Sequence, residues 1–182
     1  MAKIRQVKVP SFVKTFFKQS GIKVKTFTSV ASFEKVLLKF LKRNNVFHLC
    51  TSKNDMPRAT PLEFRRDGFT FYVLSEGGEK FNNLKVNKNV SFSIAAPYDS
   101  NKDFWGAKGL QAWGKAKVYS MKDNPRRFKD AFKKIKAAAT MKSAGMKELP
   151  PQFNYRFIEI IPDRINYGNL KEGVYHITWM RK

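Results

Sequence analysis

Residues 56–94 constrain this chain more than any other stretch. MPRATPLEF, the turn residues Arg65-Arg66-Asp67-Gly68, FTFYVLS, Glu76-Gly77-Gly78-Glu79, a short helical run from Lys80, and VSFSI follow one another with almost no spare residues. Apolar, β-branched and aromatic runs bounded by Gly, Pro, Asn and Asp clusters are strand signals, so the stretch reads as strand, turn, strand, turn, helix, strand.

The flanks extend the pattern. Phe33, Val36, Leu37, Phe40 and Leu41 recur at i, i+3, i+4, i+7 and i+8, an apolar stripe of helical period with Glu34 near its positive start and Lys42-Arg43 near its negative end. Asn44-Asn45 stop this helix. Strand-like runs follow at residues 46–51, 58–64 and 69–75, which predict a three-stranded antiparallel meander. A helix over 80–87 leads to strands at 90–96 and 110–119, separated by a loop rich in Pro, Asp, Asn and Gly. After Ser120, Phe128, Ala131, Phe132 and Ile135 predict one helix. Runs at 153–161, 164–167 and 174–180 close the chain as strands, with Pro162 at an edge or bulge between the first two. This order predicts a mainly β fold, β with flanking helices, built as a closed or nearly closed antiparallel barrel rather than a parallel α/β sheet.

A chain of 182 residues with 17 phenylalanines can bury one sizeable core. Its formal net charge of +22 attracts anions in general, whether phosphates, nucleic acid or acidic lipid. Cys50 is the single cysteine, and with His48 and His176 it builds no common zinc spacing. No metal site is therefore expected, and a reducing, cytoplasmic setting fits. Lysines interrupt every apolar stretch up to Lys25, so the start does not read as a secretory signal, and no run is long enough to span a bilayer.

Residues 1–31 carry seven Lys and Arg side chains and no acid. They read as a basic N-terminal extension to a domain over residues 32–182. Pro10-Ser11 can start a helix there that puts Phe12, Val13, Phe16 and Phe17 together. The preferred expectation is an arm that packs these side chains on the domain or a partner subunit. The alternative is a basic amphipathic segment for nucleic acid or acidic membrane.

Chemistry concentrates where the central turns meet. Arg58 follows a tight turn, where a guanidinium can give a phosphate two parallel hydrogen bonds. Ala59, Thr60, Pro61 and Leu62 offer small side chains and a strand backbone able to bond the polar edge of a planar ring. Pro61 cannot donate to a ladder, which predicts a sheet edge at that point. Gly77-Gly78 permits close approach of a ligand, and Lys80 adds a full charge. His48 and Cys50 read as barrel side chains. His176 sits in the terminal strand, within reach of a partner's groove. No nucleophile-elbow pattern or hydrolytic triad is visible, and no catalytic residue is assigned.

The order FEKVLLKFLKRNNVFHLCTSKNDMPRATPLEF, FTFYVLSEGGEKFNNLKVNKNVSFSI and LQAWGKAKVYS resembles the pyridoxamine 5'-phosphate oxidase-like FMN-binding split barrels. The resemblance implies a six-stranded antiparallel split β-barrel of Greek-key type and a homodimer with FMN in two interface grooves. It also implies an oxidoreductase or electron-transfer flavoprotein acting on a small-molecule substrate or electron donor. By the same resemblance Arg58 and Lys80 bind the FMN phosphate, and the backbone of Ala59, Thr60, Pro61 and Leu62 lies along the ring. Val73, Leu74 and Ser75 border the phosphate and ribityl chain, Asn83 faces the ring or ribityl, and Gln111 and Trp113 approach from the partner subunit. Glu79 and Glu63 stand where the oxidase has basic residues, so the phosphate site needs completion from elsewhere. The tail ITWMRK lacks the oxidase's Arg-x-His substrate pattern, which argues against pyridoxamine phosphate as substrate. A deazaflavin or haem on the same fold is the nearest alternative cofactor, and a non-enzymatic nucleic-acid or membrane module is the alternative from another class.

Overall fold

A computed structural model describes residues 2–182. In chain order the elements are β1 (Ala2–Gln6), α1 (Ser11–Gln19), α2 (Val30–Lys42), β2 (Val46–Lys53), β3 (Met56–Glu63), β4 (Arg65–Asp67), β5 (Thr70–Ser75), α3 (Lys80–Val86), β6 (Asn89–Ala95), β7 (Lys108–Ser120), α4 (Pro125–Lys134), α5 (Ala137–Ser143), β8 (Arg156–Asn169) and β9 (Val174–Arg181). One antiparallel sheet runs β1-β9-β8-β7-β6-β2-β3, with β5 also on β8 and β4 on β5. The fold is mainly β with flanking helices, the split-barrel class expected.

The strand count differs from the six expected. β1 forms in the supposed extension by pairing with β9, Ala2 opposite Arg181 through Gln6 opposite Ile177. β4 forms where only a turn was read, and its hairpin with β5 sets Arg65 opposite Tyr72. The expected meander is therefore broken. β3 has β2 as its neighbour and ends the sheet path, while β5 joins β8. Phe64, 3% exposed and 5.3 Å from the Phe71 ring, is the buried anchor at which the chain leaves β3. Two expected strands fuse into β8, whose Phe157–Ile160 face β5 and whose Arg164–Asn169 face β9. Pro162, which has no N–H to give, falls where the partner changes.

The chain divides into two compact units, residues 1–47, 91–113 and 163–182, and residues 48–90 and 114–162. In the first, Ser29 caps α2 by accepting from the Ser32 amide at 3.2 Å. The predicted stripe faces inward, with Phe33 and Leu37 fully buried and Phe33 and Phe40 edge-on to Tyr167. Of the apolar side chains on α1 only Phe17 is buried, against Trp105 at 5.0 Å. Phe12 and Phe16, expected on the same packed face, are 62% and 52% exposed. His48 and Cys50, expected inside the barrel, alternate with buried Phe47, Leu49 and Thr51, and they lie exposed and half-buried respectively.

In the second unit Tyr72, Tyr119, Phe128, Ala131 and Phe157 form a cluster beneath α4. The single helix expected after Ser120 is two helices, because Lys136 takes a left-handed φ of 53° between them. Arg127 grips Glu159 with both nitrogens, Nη2 at 2.9 Å and Nε at 3.3 Å, and the Tyr119 hydroxyl donates to the same carboxylate at 2.9 Å. Burial opposes the Glu159 charge, but the bonds from Arg127 and Tyr119 outweigh it and hold the carboxyl below its ordinary range. A carboxyl lowered in the folded state adds stability above its unfolded pKa and loses it as pH falls through the folded one. Because the Arg127 side chain is 37% exposed, screening limits the pair to about 1 kcal/mol. Glu159→Gln is therefore expected to lower stability by about 1 kcal/mol at pH 7 and by progressively less on acidification from about pH 5. Urea unfolding at several pH values checks this, and a difference that stays constant into acid would contradict it.

Candidate cofactor site

Within the second unit, β3, β5, α3 and the start of β8 bring a set of cations together. Arg58 and Ala59 are exposed on β3, Thr60 and Leu62 are half-buried, and Pro61 is exposed. The expectation from Pro61 of a sheet edge is met, since β3 closes the sheet path. Val73 is 2% exposed, and Leu74 and Ser75 are half-buried at the end of β5. Ser75 stands directly opposite Arg156 in the β5–β8 ladder.

Arg156 was not singled out from the sequence. Its guanidinium lies 3.6 Å from the centroid of the Phe81 ring and donates from Nη2 to the Glu76 carbonyl at 3.2 Å. The Lys80 ammonium approaches the same ring at 5.0 Å and donates to the Gly77 carbonyl. Gly78, at φ 101°, holds the turn against it; a Cβ there would come within 3.3 Å of the Lys80 Nζ. Only 6% of Lys80 is exposed. Burial pushes its ammonium below the ordinary lysine range, Glu76 pulls it back, and the charges of Arg156 and Arg58 push it down further. Arg58, Lys80 and Arg156 thus act on one another as like charges, an arrangement that an anion relieves.

Two buried polar atoms in this unit lack a partner, Thr60 Oγ1 and Arg156 Nε. Leaving such a group unsatisfied costs about 1–3 kcal/mol, so both atoms fit a ligand that supplies acceptors. The acids that interrupt the family pattern are occupied locally: Glu63 pairs with Arg65 at 2.8 Å, and Glu79 accepts from Asn82 at 3.0 Å. The sequence signal for Arg156 is slight, an arginine opening the apolar strand RFIEI, because its pairing with Ser75 is a long-range fact of the sheet.

Other expected residues are less exposed to a ligand or lie apart. Asn83 is 7% exposed and donates to Thr51 Oγ1 at 3.0 Å. Gln111 and Trp113 belong to the first unit, on β7, where Gln111 is exposed and Trp113 is covered by the Arg164 guanidinium at 4.1 Å. His176 is exposed on β9 with a left-handed φ of 40°, next to the register shift that separates Tyr167 from Asn169 in the β8–β9 ladder. Among the described residues no helix is long and apolar enough to cross a membrane.

Comparison with solved structures finds the same fold. A pyridoxamine 5'-phosphate oxidase-like protein from Listeria innocua is 24% identical, with a TM-score of 0.57, over 75% of this chain and 98% of that one. A FAD-binding protein from Mesorhizobium loti is 15% identical, TM-score 0.51, over 81% and 93%. The heme storage protein HutZ from Vibrio cholerae is 17% identical, TM-score 0.55, over 71% and 89%. At these identities the likeness is one of fold. No curated protein matches the chain. The family model described as pyridoxamine 5'-phosphate oxidase matches residues 33–168, three quarters of the length, and the chain belongs to the pyridoxamine 5'-phosphate oxidase family.

Proposed function

We propose that this protein is an FMN-binding flavoprotein, a homodimeric oxidoreductase or electron carrier for a small-molecule substrate. The observation that supports it is the convergence of Arg58, buried Lys80 and Arg156 on one another, with Arg156 Nε and Thr60 Oγ1 left without partners. A phosphate monoester is the ligand part that such a cradle suits, since arginine forks bond its oxygens in pairs and a lysine adds a point charge. The free edge of β3 offers backbone groups at Ala59, Thr60 and Leu62 for the rim of a planar ring, with Pro61 contributing a carbonyl alone.

Bound FMN would supply hydride and single-electron chemistry, which the protein's own side chains lack. The chain's part is binding, orientation and charge. Arg58, Lys80 and Arg156 hold the phosphate end, and Ser75, opposite Arg156, borders it. The positive field of the site favours the anionic form of a reduced ligand. In the dimer, Gln111 and Trp113 of the second subunit would cover the exposed face of β3. The half-buried lone thiol Cys50 accords with a reducing cytoplasm.

The test is an absorption spectrum of the purified protein, mass analysis of whatever it releases, and light scattering of the loaded form. A flavin spectrum, release of FMN and a dimer are expected. A Soret band would favour haem, which the Vibrio cholerae protein of the same fold stores. A monomer that still holds FMN at micromolar concentration would contradict the shared groove.

A further inference from the structure

We propose that the groove between α4 and α5 is a second ligand site, for a long-chain carboxylate of the fatty-acid class. The space is about 1040 Å³, just above the roughly 300–1,000 Å³ that small-molecule sites occupy. Its floor and walls are Met121, Phe128, Phe132, Met141, Met146 and Leu149. A smaller cavity of about 270 Å³ shares Met141, Met146 and Leu149 as lining. Unbranched thioether side chains re-pack readily, so this shared wall can yield to a longer chain.

The groove's charge selects its occupant. Lys129, Lys133, Lys136, Lys142 and Lys147 line it against one acid, Glu148, and none of the five makes an ion pair among the described residues. A neutral apolar ligand would leave these ammonium groups unanswered, and a cationic one would be repelled. An anionic head at the rim, with its chain over the apolar floor, satisfies both features, while the lysine stems lie along the apolar walls.

The depth of the floor distinguishes a single amphiphile from a bilayer. Phe128 is 2% exposed and Met141 8%, beneath a rim where Met121 and Met146 are 45% and 42% exposed, so the groove deepens from an open apolar rim to a floor that the end of a single chain reaches and a flat lipid surface does not. Lys136 makes the geometry. Its left-handed backbone turns the chain between α4 and α5, which separates the two helices that wall the groove. The site lies on residues that the proposed flavin cradle does not use, so either can fail without the other.

The experiment is calorimetric titration of the full chain with sodium dodecanoate below its micellar concentration, beside dodecan-1-ol and dodecyltrimethylammonium. One equivalent of dodecanoate is expected to bind, about tenfold or more tighter than the alcohol, with the ammonium weakest. Lys129→Glu/Lys133→Glu/Lys147→Glu is expected to lose about tenfold or more for dodecanoate while keeping its affinity for the alcohol. Ala139→Trp, at an exposed position in the lining, should fill the groove and abolish binding of both at an unchanged melting temperature. Absence of dodecanoate binding, equal binding of all three amphiphiles, or full binding by Ala139→Trp would overturn the proposal. So would attachment to phosphatidylglycerol vesicles without a saturable dodecanoate site, which would make the surface a membrane patch.

Discussion

Phe17→Ala is expected to destabilise the protein by about 3–5 kcal/mol, the range for removing a fully buried aromatic side chain, and to lower the melting temperature by roughly 6–20 °C for a chain of this length. Phe17 has no exposed surface. Its ring stands edge-on to Trp105, whose indole N–H donates to Ser20 at the end of the same helix at 2.9 Å. Around it the first residues are tied at several points. β1 pairs with β9 over five positions, and the Gln6 amide exchanges two hydrogen bonds with the Phe27 backbone at 2.7 and 3.0 Å. The Lys25 amide donates to the Gly173 carbonyl at 2.9 Å. Gly173 permits that approach because a Cβ would sit 1.9 Å from the Lys23 carbonyl oxygen at a left-handed φ of 69°. Phe12→Ala, at a 62% exposed position, is the control and should change stability by no more than about 0.5 kcal/mol. Urea unfolding of the two variants decides the matter. Equal, small losses would mean that α1 is not docked and that the basic segment serves another partner.

The contrast between Phe17 and Phe12 marks where local pattern stops informing. Helical spacing located α1 and α2 and the buried stripe of α2, because a period of 3.6 residues is written in the sequence itself. It could not choose between two adjacent apolar faces of α1, since that choice depends on Trp105, 88 positions away from Phe17 along the chain (105 − 17). Strand signals located most of the sheet for the same reason. They misassigned β4, whose residues Arg65, Arg66 and Asp67 have turn character and pair only because Phe64 is buried just before them. They also split β8 at Pro162, where the strand continues because its hydrogen-bonding partner changes there. Lys136 hid the break between α4 and α5, because a lysine gives no warning of a left-handed backbone. In the candidate site, Arg58, Lys80 and the glycine turn lie within 23 residues (80 − 58 + 1) and were legible as a group. Arg156 enters through the β5–β8 register, which no local signal encodes.

Arg58, Lys80 and Arg156 are where the largest effects on binding are expected. Arg58→Ala, Lys80→Ala and Arg156→Ala should each weaken FMN binding by about 1.5–3 kcal/mol, the size of a hydrogen bond to a charged group, or roughly 10- to 150-fold. Riboflavin, which lacks the phosphate, should bind each variant as it binds the parent protein. The three cations repel one another without an anion, and burial has already driven the Lys80 ammonium below its ordinary range. A lysine lowered in this way loses its charge earlier than a free lysine as pH rises, so FMN affinity should fall on the alkaline side as Lys80 deprotonates. Lys80→Arg, always charged, should hold its affinity to higher pH even if its fork fits the cradle less well. Fluorescence titration with both flavins across pH measures all of this. An unchanged FMN-to-riboflavin ratio in Arg156→Ala would remove that residue from the phosphate site, and a pH profile identical in Lys80→Arg and the parent would show that Lys80 does not carry the charge the phosphate meets.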